Sequence, residues 1–232
     1  MEKRAEKRTF WKDVYRGYYK GELPDYKKSG YRSEASQALR LAALKRCLAR
    51  VELSQDAFVL DVGCGSGFAW DALARNKAGK IIAVDIIEDP LRRAKSAKKA
   101  VLLCFGDAQN LPFRASSIDL VVAIEMLQNL DDAEEFLREA RRVLVDGAYF
   151  IIIAPNMNSL SWLYLRMFNR KSSMTAMVSL KNLMRTLKRL GLRVITKEGV
   201  TLPVIMPIAS LARAMGIWLF DKSYVLLLKA EK

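Results

Sequence analysis

The stretch Phe58-Val-Leu-Asp-Val-Gly-Cys-Gly-Ser-Gly67 decides the fold of this chain. It opens with a short apolar run, which is typical of a buried strand in a parallel sheet. Three glycines follow at alternate positions, Gly63, Gly65 and Gly67, and apolar residues with helical spacing come next. A strand, a glycine turn and a helix start form a cradle in which backbone N–H groups approach a ligand closely. The sequence therefore predicts a ligand site at this turn.

Two classes of ligand use such a turn, and the neighbouring residues separate them. A dinucleotide site needs the pattern G-x-G-x-x-G, but the third glycine would have to stand where the chain has Phe68 or Trp70. The carboxylate of Asp61 also suits a cationic ligand better than a pyrophosphate. S-adenosylmethionine (SAM) is such a ligand, because it carries an ammonium and a sulfonium group. A NAD-binding oxidoreductase is the less favoured alternative.

The turn resembles the first motif of the class I SAM-dependent methyltransferases, D/E-x-G-x-G-x-G. Asp61, Gly63, Gly65 and Gly67 match that motif without a gap. The resemblance implies that Asp61 and the backbone of the turn, Cys64 included, bind the methionine end of SAM.

A second apolar strand, Lys80–Asp85, also ends in an acid. In a mononucleotide-binding βαβ unit an acid at this place binds ribose hydroxyls, although a strand-end aspartate is also a common helix cap. We expect ribose binding by Asp85, because the glycine turn precedes it in the chain. The resemblance implies that the next residue, Ile86, packs on the adenine face.

The stretch Gly106-Asp-Ala-Gln-Asn-Leu-Pro-Phe113 follows a third apolar strand and matches the family pattern G-D-A-x-x-L-P-F. The resemblance implies that Asp107 accepts a hydrogen bond from the adenine amino group. It also implies that the backbone N–H of Ala108 meets the ring. The alternative is an aspartate that only caps a turn.

The apolar run over 117–130 predicts a central strand with Glu125 near its carboxyl end. That end faces the crevice where ligands of open α/β sheets bind, so we expect Glu125 to contact the cofactor. If the acceptor loses a proton, Glu125 or Tyr19 is the candidate catalytic base. Two family patterns are missing. The chain has Gln128-Asn129 where many relatives carry paired histidines, and it lacks the N/D-P-P-Y/F motif of amino-group DNA and RNA methyltransferases.

The alternation of strands and helices predicts a doubly wound α/β fold, with residues 1–232 as a single domain. The resemblance, strongest over 56–155, implies a seven-stranded, mostly parallel Rossmann-like sheet. It further implies the strand order 3-2-1-4-5-7-6, with strand 7 antiparallel. A helix predicted over 33–51 has an apolar stripe and is interpreted as packing, with Ser33 as its N-cap.

Three segments outside this core are expected to surround the substrate. Residues 1–32 mix aromatic and basic side chains, and the resemblance implies an N-terminal lid over the cofactor, with nucleobase stacking as the alternative. Residues 156–179 and 200–221 are expected to be substrate-side insertions. Plain packing on the sheet is an equal alternative for the first. For the second, a homodimer contact or shallow membrane docking is the alternative.

Composition limits the chemistry. The chain has 39 Lys and Arg against 25 Asp and Glu, a formal net charge of +14, and no histidine. The lack of histidine excludes Ser–His–Asp triads and histidine metal sites, and we expect no metal. The three cysteines form no disulfide framework, and no signal peptide or transmembrane segment is expected, so the sequence predicts a cytoplasmic protein. The positive charge favours solvated faces, with RNA or an anionic membrane surface as alternatives.

The resemblance implies direct SN2 transfer of the SAM methyl group to an O, N or C nucleophile, with S-adenosylhomocysteine as the product. The branch that the chain resembles most includes quinone-type methyltransferases, so a small or lipid-like acceptor is expected. An RNA (tRNA) methyltransferase is the first alternative, because of the positive charge. A non-catalytic SAM-binding partner subunit is another, which Gln128-Asn129 keeps open.

Overall fold

The structure is a computed structural model, and it describes residues 13–14, 16–18, 23–28, 31, 33–75, 79–88, 101–156, 159, 179–200 and 223–231. Within these residues seven strands form one sheet: β1 (Phe58–Val62), β2 (Lys80–Asp85), β3 (Val101–Phe105), β4 (Ile118–Ile124), β5 (Leu144–Pro155), β6 (Leu192–Val200) and β7 (Ser223–Ala230). The helices whose bounds are defined are α1 (Asp25–Lys28), α2 (Glu34–Leu48), α3 (Trp70–Arg75), α4 (Ala133–Val143) and α5 (Leu180–Arg189), with a 3-10 turn at Leu127–Asn129.

The strand order is β3-β2-β1-β4-β5-β7-β6, and β7 runs antiparallel to both β5 and β6. The predicted fold class and order are therefore confirmed. β1 lies between β2 and β4 and is parallel to both. The strand order changes direction at β1 and β4, and the carboxyl ends of such a pair open a crevice for ligands. The glycine turn follows β1 and Glu125 follows β4, so both lie at this crevice.

The sheet is covered on two faces because successive residues of a strand point to opposite sides. Leu60 of β1 belongs to a core with Phe136 of α4 and Leu183 of α5. Val59 belongs to the other core, with side chains of α2 and α3. Phe136 also meets Phe150 edge to face at a centroid distance of 6.0 Å. Each side chain of this size contributes about 1.5–3 kcal/mol by full burial.

α2 begins where the sequence predicts, because the Ser33 side chain accepts a hydrogen bond from the N–H of Ser36. Its apolar stripe is buried through Leu44 and Leu48, as expected. The interpretation of this helix as packing alone was incomplete. α2 also buries Arg40, which is 6% exposed and lies at the crevice edge of the sheet.

The predicted strand over 117–130 is too long. β4 ends at Ile124, and Glu125 adopts a left-handed backbone with φ of +51°. An extended strand cannot continue through that conformation. The apolar residues beyond it instead fill the 3-10 turn, where Leu127 is 2% exposed.

The segments proposed around the substrate lie largely outside the described residues. Residues 13–14 and 16–18 are helical, in agreement with a helix in the predicted lid. Tyr19 and nearly all of both predicted insertions fall outside the described ranges, so these assignments and the domain description stay predictions. No helix in the described part of the chain is long and apolar enough to cross a membrane.

Candidate cofactor site

The glycine turn has the backbone that its composition predicts. Gly63, Gly65 and Gly67 have φ of +69°, +49° and +75°, a region that L side chains rarely adopt. The N–H groups of Gly63 and Cys64 both donate to the carbonyl of Val84, at 2.8 and 3.2 Å. The turn is therefore held against the end of β2.

Two of these glycines also have no room for a side chain. A Cβ on Gly63 would lie 2.9 Å from the Cβ of Met126, and one on Gly67 would lie 2.6 Å from the ring of Trp70. The turn thus packs on Met126, two residues after the end of β4, and on Trp70, the first residue of α3.

Asp61 is 3% exposed, and its Oδ2 accepts a hydrogen bond from Nε1 of Trp70 at 3.0 Å. No other side-chain hydrogen bond to this carboxylate comes from the residues that the structure describes, so Oδ1 has no donor there. Burial raises the pKa of Asp61 to about 7, the Trp70 hydrogen bond lowers it, and the nearby charge of Asp85 raises it. A carboxylate oxygen that has no donor and is not fully enclosed suits a cationic ligand.

Asp85 lies at the end of β2 and binds the glycine turn directly. Its Oδ2 accepts from the N–H of Gly65 and its Oδ1 accepts from the N–H of Ile87, both at 2.9 Å. Burial raises the pKa of this carboxyl, and these backbone donors oppose the rise. Ile86 is half-buried beside it. The sequence predicted this acid as a ligand residue, and the structure adds a role in shaping the turn.

The loop over 107–113 follows β3 at the same edge of the sheet. Asp107 Oδ1 accepts from the N–H of Gln109 at 3.0 Å, and the side chain of Ala108 is buried. Asp107 therefore makes the turn-capping contact that is the alternative to adenine binding. The two roles are compatible, because one carboxylate has several acceptor positions.

Residues of α4 hold this loop from behind. Arg142 donates to the carbonyls of Leu111 and Phe113 at 2.9 and 2.8 Å, and Glu139 accepts from the N–H of Leu111 at 2.8 Å. The Arg142 hydrogen bond holds the pKa of Glu139 below its usual value. Gln109 adds a second anchor, since its side chain donates to Glu135 at 3.1 Å. The loop is thus fixed by polar contacts as well as by packing.

Glu125 lies at the centre of a buried polar cluster. Its Oε1 accepts from Nε of Arg40 at 3.0 Å and from the hydroxyl of Ser223 at 2.6 Å. Nη2 of Arg40 donates to the same hydroxyl at 2.7 Å, which closes a triangle of three side chains. The backbone carbonyl of Glu125 accepts from the side chain of Gln128 at 2.6 Å. These contacts hold the strained backbone of Glu125 in place.

Tyr31, near the end of the predicted lid, contacts this region. Its ring meets Phe68 edge to face at 5.7 Å, and the guanidinium of Arg40 lies 5.7 Å from the ring centroid. Tyr31 is 9% exposed. Tyr31 therefore packs against Phe68, the residue that follows the glycine turn.

The structure brings together the predicted residues at the ends of β1, β2, β3 and β4. Sequence reasoning missed Trp70 and Arg40, and it missed the bracing role of Arg142. Trp70 had been used only as evidence against a dinucleotide site. The sequence offered one indication for Arg40: it lies four residues before Leu44 and so falls on the apolar side of α2, where a cation is unusual.

The strand order and the antiparallel β7 are those of the Rossmann-like methyltransferase fold. Residues 60–152 match the family model described as a methyltransferase domain, and the resemblance to SAM-dependent methyltransferases predicted from the sequence is confirmed. A probable S-adenosylmethionine-dependent methyltransferase of Mycolicibacterium smegmatis is 32% identical over 42% of this chain and 38% of its own length. The demethylmenaquinone methyltransferase of Lactiplantibacillus plantarum is 33% identical over 47% of this chain and 49% of its own length. The chain thus spans less than half the length of these relatives.

Solved structures agree on the fold. A methyltransferase in complex with the Haloferax volcanii Trm112 methyltransferase activator aligns with a TM-score of 0.68 at 20% identity, over 90% of this chain and 96% of that one. A methyltransferase from Bacillus halodurans aligns with a TM-score of 0.64 at 17% identity, over 82% and 100%. At these identities the likeness shows the architecture alone.

The family implies SAM as cofactor, and the residues of the site fit it. Oδ1 of Asp61, which has no side-chain donor among the described residues, suits an ammonium group. The described residues contain no group of three or more Cys, Asp or Glu side chains placed to hold a metal ion.

Proposed function

We propose that this protein is a methyltransferase that binds SAM at the glycine turn and methylates a small or lipid-like acceptor. The observation that carries the proposal is Asp61, a buried carboxylate at the crevice with one oxygen fixed by Trp70 and the other without a donor among the described residues. This second oxygen is not fully enclosed by the described residues, so an ammonium group can reach it and form a charge-assisted hydrogen bond.

The other cofactor contacts follow the order of the strands. Asp61 and the turn with Cys64 would hold the methionine end, and Asp85 the ribose. The adenine would lie among three residues, Ile86, Asp107 and Ala108. The bracing of the 107–113 loop by Arg142 and Glu139 supports a rigid adenine subsite.

When bound, SAM supplies a methyl group already activated by its sulfonium. The chain then has to align the acceptor with the methyl group and exclude water. Correct alignment of two reactants removes a large part of the barrier of a bimolecular reaction. If the acceptor must lose a proton, Glu125 and Tyr19 are the proposed bases. Glu125 lies at the crevice, where Arg40 and Ser223 orient its carboxylate.

The named activities of several relatives support an acceptor of modest size. They include a norajmaline N-methyltransferase of Rauvolfia serpentina, a malonyl-[acyl-carrier protein] O-methyltransferase of Methylovorus, and the demethylmenaquinone enzyme already described. RNA is the second candidate acceptor, and the net charge of +14 favours it.

The test of cofactor binding is calorimetric titration with SAM and S-adenosylhomocysteine, with NADH as the control ligand. We expect micromolar binding of the first two and none of NADH. Asp85→Ala should weaken SAM binding at least tenfold, and unchanged affinity would remove the ribose assignment. Absence of SAM binding by the wild-type protein would overturn the proposed function.

The acceptor class is tested by incubating the protein with methyl-labelled SAM and separated lipid, small-molecule and RNA fractions. Label in the lipid or small-molecule fraction is the expected result. Label confined to RNA, with tRNA binding that weakens steeply with salt, would favour the second candidate. SAM binding without transfer to any fraction would favour a non-catalytic subunit.

A further inference from the structure

We propose that Trp70 is a positioning residue of the cofactor site, which fixes the Asp61 carboxylate with its indole N–H and supports the glycine turn with its ring. This inference rests on the proposed function, because it concerns how the same site is prepared for SAM.

A single side chain makes both contacts. Nε1 of Trp70 lies 3.0 Å from Oδ2 of Asp61, and the ring lies where a Cβ on Gly67 would be 2.6 Å away. Trp70 and Asp61 are each 3% exposed, so neither contact is shared with bulk water. Asp61 and Gly67, the first and last residues of the motif, are therefore both in contact with the indole of Trp70.

The chemistry of indole suits this task. Its N–H is a donor and cannot accept, so it selects a carboxylate oxygen and leaves no competing acceptor beside it. Because the indole N–H binds Oδ2, the carboxylate does not rotate freely, and the orientation of Oδ1 is fixed as well. A site whose polar group is already oriented loses less conformational freedom when ligand binds.

The indole also favours the charged form of Asp61. Burial and the charge of Asp85 on β2 raise the pKa of Asp61, while the Trp70 hydrogen bond lowers it. Cys64 in the turn is the other titratable group close by, and burial raises the pKa of its thiol. Without the indole N–H, a smaller fraction of Asp61 would be ionised at neutral pH and ready to bind a cation.

The test variant is Trp70→Phe, which keeps a ring under Gly67 and removes the N–H. SAM affinity is measured by calorimetry at pH 6, 7, 8 and 9. We expect the midpoint of the affinity profile to move to higher pH than in the wild type. The loss of affinity should be about tenfold at pH 7 and under about threefold at pH 9, where Asp61 is ionised in both proteins.

A double-mutant cycle separates positioning from general destabilisation. In an Asp61→Asn background, Trp70→Phe should change SAM affinity by less than about twofold, because no carboxylate is left for the indole to orient toward the ammonium group. Full additivity would overturn the inference. Phe136→Leu, a core change on α4 where the ring meets Phe150, is the control for stability and should leave the pH midpoint unchanged.

A measurement on the wild type keeps the inference testable if Trp70→Phe does not fold. In protein labelled with 15N-tryptophan, one indole N–H resonance should titrate between pH 5 and 9 with a midpoint near the pKa of Asp61, and that titration should vanish in Asp61→Asn. No titrating indole resonance would contradict the inference. SAM binding by the wild type with an unchanged profile in Trp70→Phe would overturn this inference and leave the proposed function standing.

Discussion

Nε of Arg40 donates to Oε1 of Glu125 at 3.0 Å, in an ion pair whose side chains are 8% and 14% exposed. The pair joins α2 to the end of β4. The Ser223 hydroxyl bonds to both partners and adds the start of β7 to the same cluster. Three elements distant in sequence are thus tied at the edge of the sheet where the glycine turn lies.

Loss of one partner of this pair is expected to be costly. Arg40→Met leaves Glu125 as a buried charge without its cation, and such changes typically cost about 3–5 kcal/mol. The matched control is Arg138→Met, which removes the ion pair of Arg138 with Glu134 on the exposed face of α4, where the expected cost is below about 1 kcal/mol. Urea unfolding of both variants measures the difference. Equal losses would show that the buried pair does not stabilise the fold.

Gly67→Ala is expected to damage both stability and SAM binding. The new Cβ would meet the Trp70 ring and would also hold a strained φ of +75°, at a combined cost of about 2–4 kcal/mol. Gly147→Ala is the control. Gly147 also has a positive φ, of +81°, but a Cβ there would lie 4.0 Å from the nearest atom, Cε of Lys229. That variant should lose only about 1–2 kcal/mol and keep SAM affinity. Thermal unfolding and calorimetry on the two variants decide whether the ring contact matters.

The pH dependence of stability should reveal the buried Asp61. Its pKa is about 7 in the folded protein and about 3.9 in an unfolded chain. Between these values the unfolded chain binds fewer protons, so this group makes the free energy of unfolding fall as pH rises from about 4 to 7 and level off above that.

Asp61→Asn removes that penalty and can still accept from Trp70. We therefore expect its stability advantage over the wild type to grow by about 2–4 kcal/mol from pH 4 to pH 8, while SAM affinity falls but stays measurable. Urea unfolding at both pH values gives the comparison. Asp146→Asn, at a half-exposed side chain, should show no such growth. A constant difference between Asp61→Asn and wild type would mean that Asp61 ionises normally in the fold.

Arg142→Gln should loosen the 107–113 loop. The change removes donors to the carbonyls of Leu111 and Phe113, and we expect a loss of about 1–2 kcal/mol because the guanidinium is partly exposed. If the loop forms the adenine subsite, affinity for S-adenosylhomocysteine should fall several-fold. Arg138→Gln on the same helix is the control. Unchanged affinity in a destabilised Arg142→Gln protein would separate the loop from the cofactor.

Much of the fold, and the place of the candidate site at one edge of the sheet, were predictable from local patterns. The run Phe58–Gly67 combines a buried strand with glycines at positions that need a left-handed backbone. Asp85 ends one apolar strand and Asp107 follows another, and parallel strands bring such ends to one edge. The alternation of strands and helices then indicates an α/β fold with a mostly parallel sheet. The end of β4 was placed too late, because an apolar run does not reveal the turn at Glu125.

The partners of these residues were decided only by tertiary structure. Arg40 meets Glu125 and Ser223 across 85 and 183 positions of the chain, and Arg142 reaches the carbonyl of Leu111 across 31. Periodicity tells which side of a helix is buried, but the neighbour that a polar group finds depends on how the helix lies across the sheet. Trp70 is near Asp61 in sequence, yet its hydrogen bond depends on the turn folding the indole back beneath Gly67. Local sequence therefore set the strands and the glycine turn, and packing set the orientation of the charged groups around them.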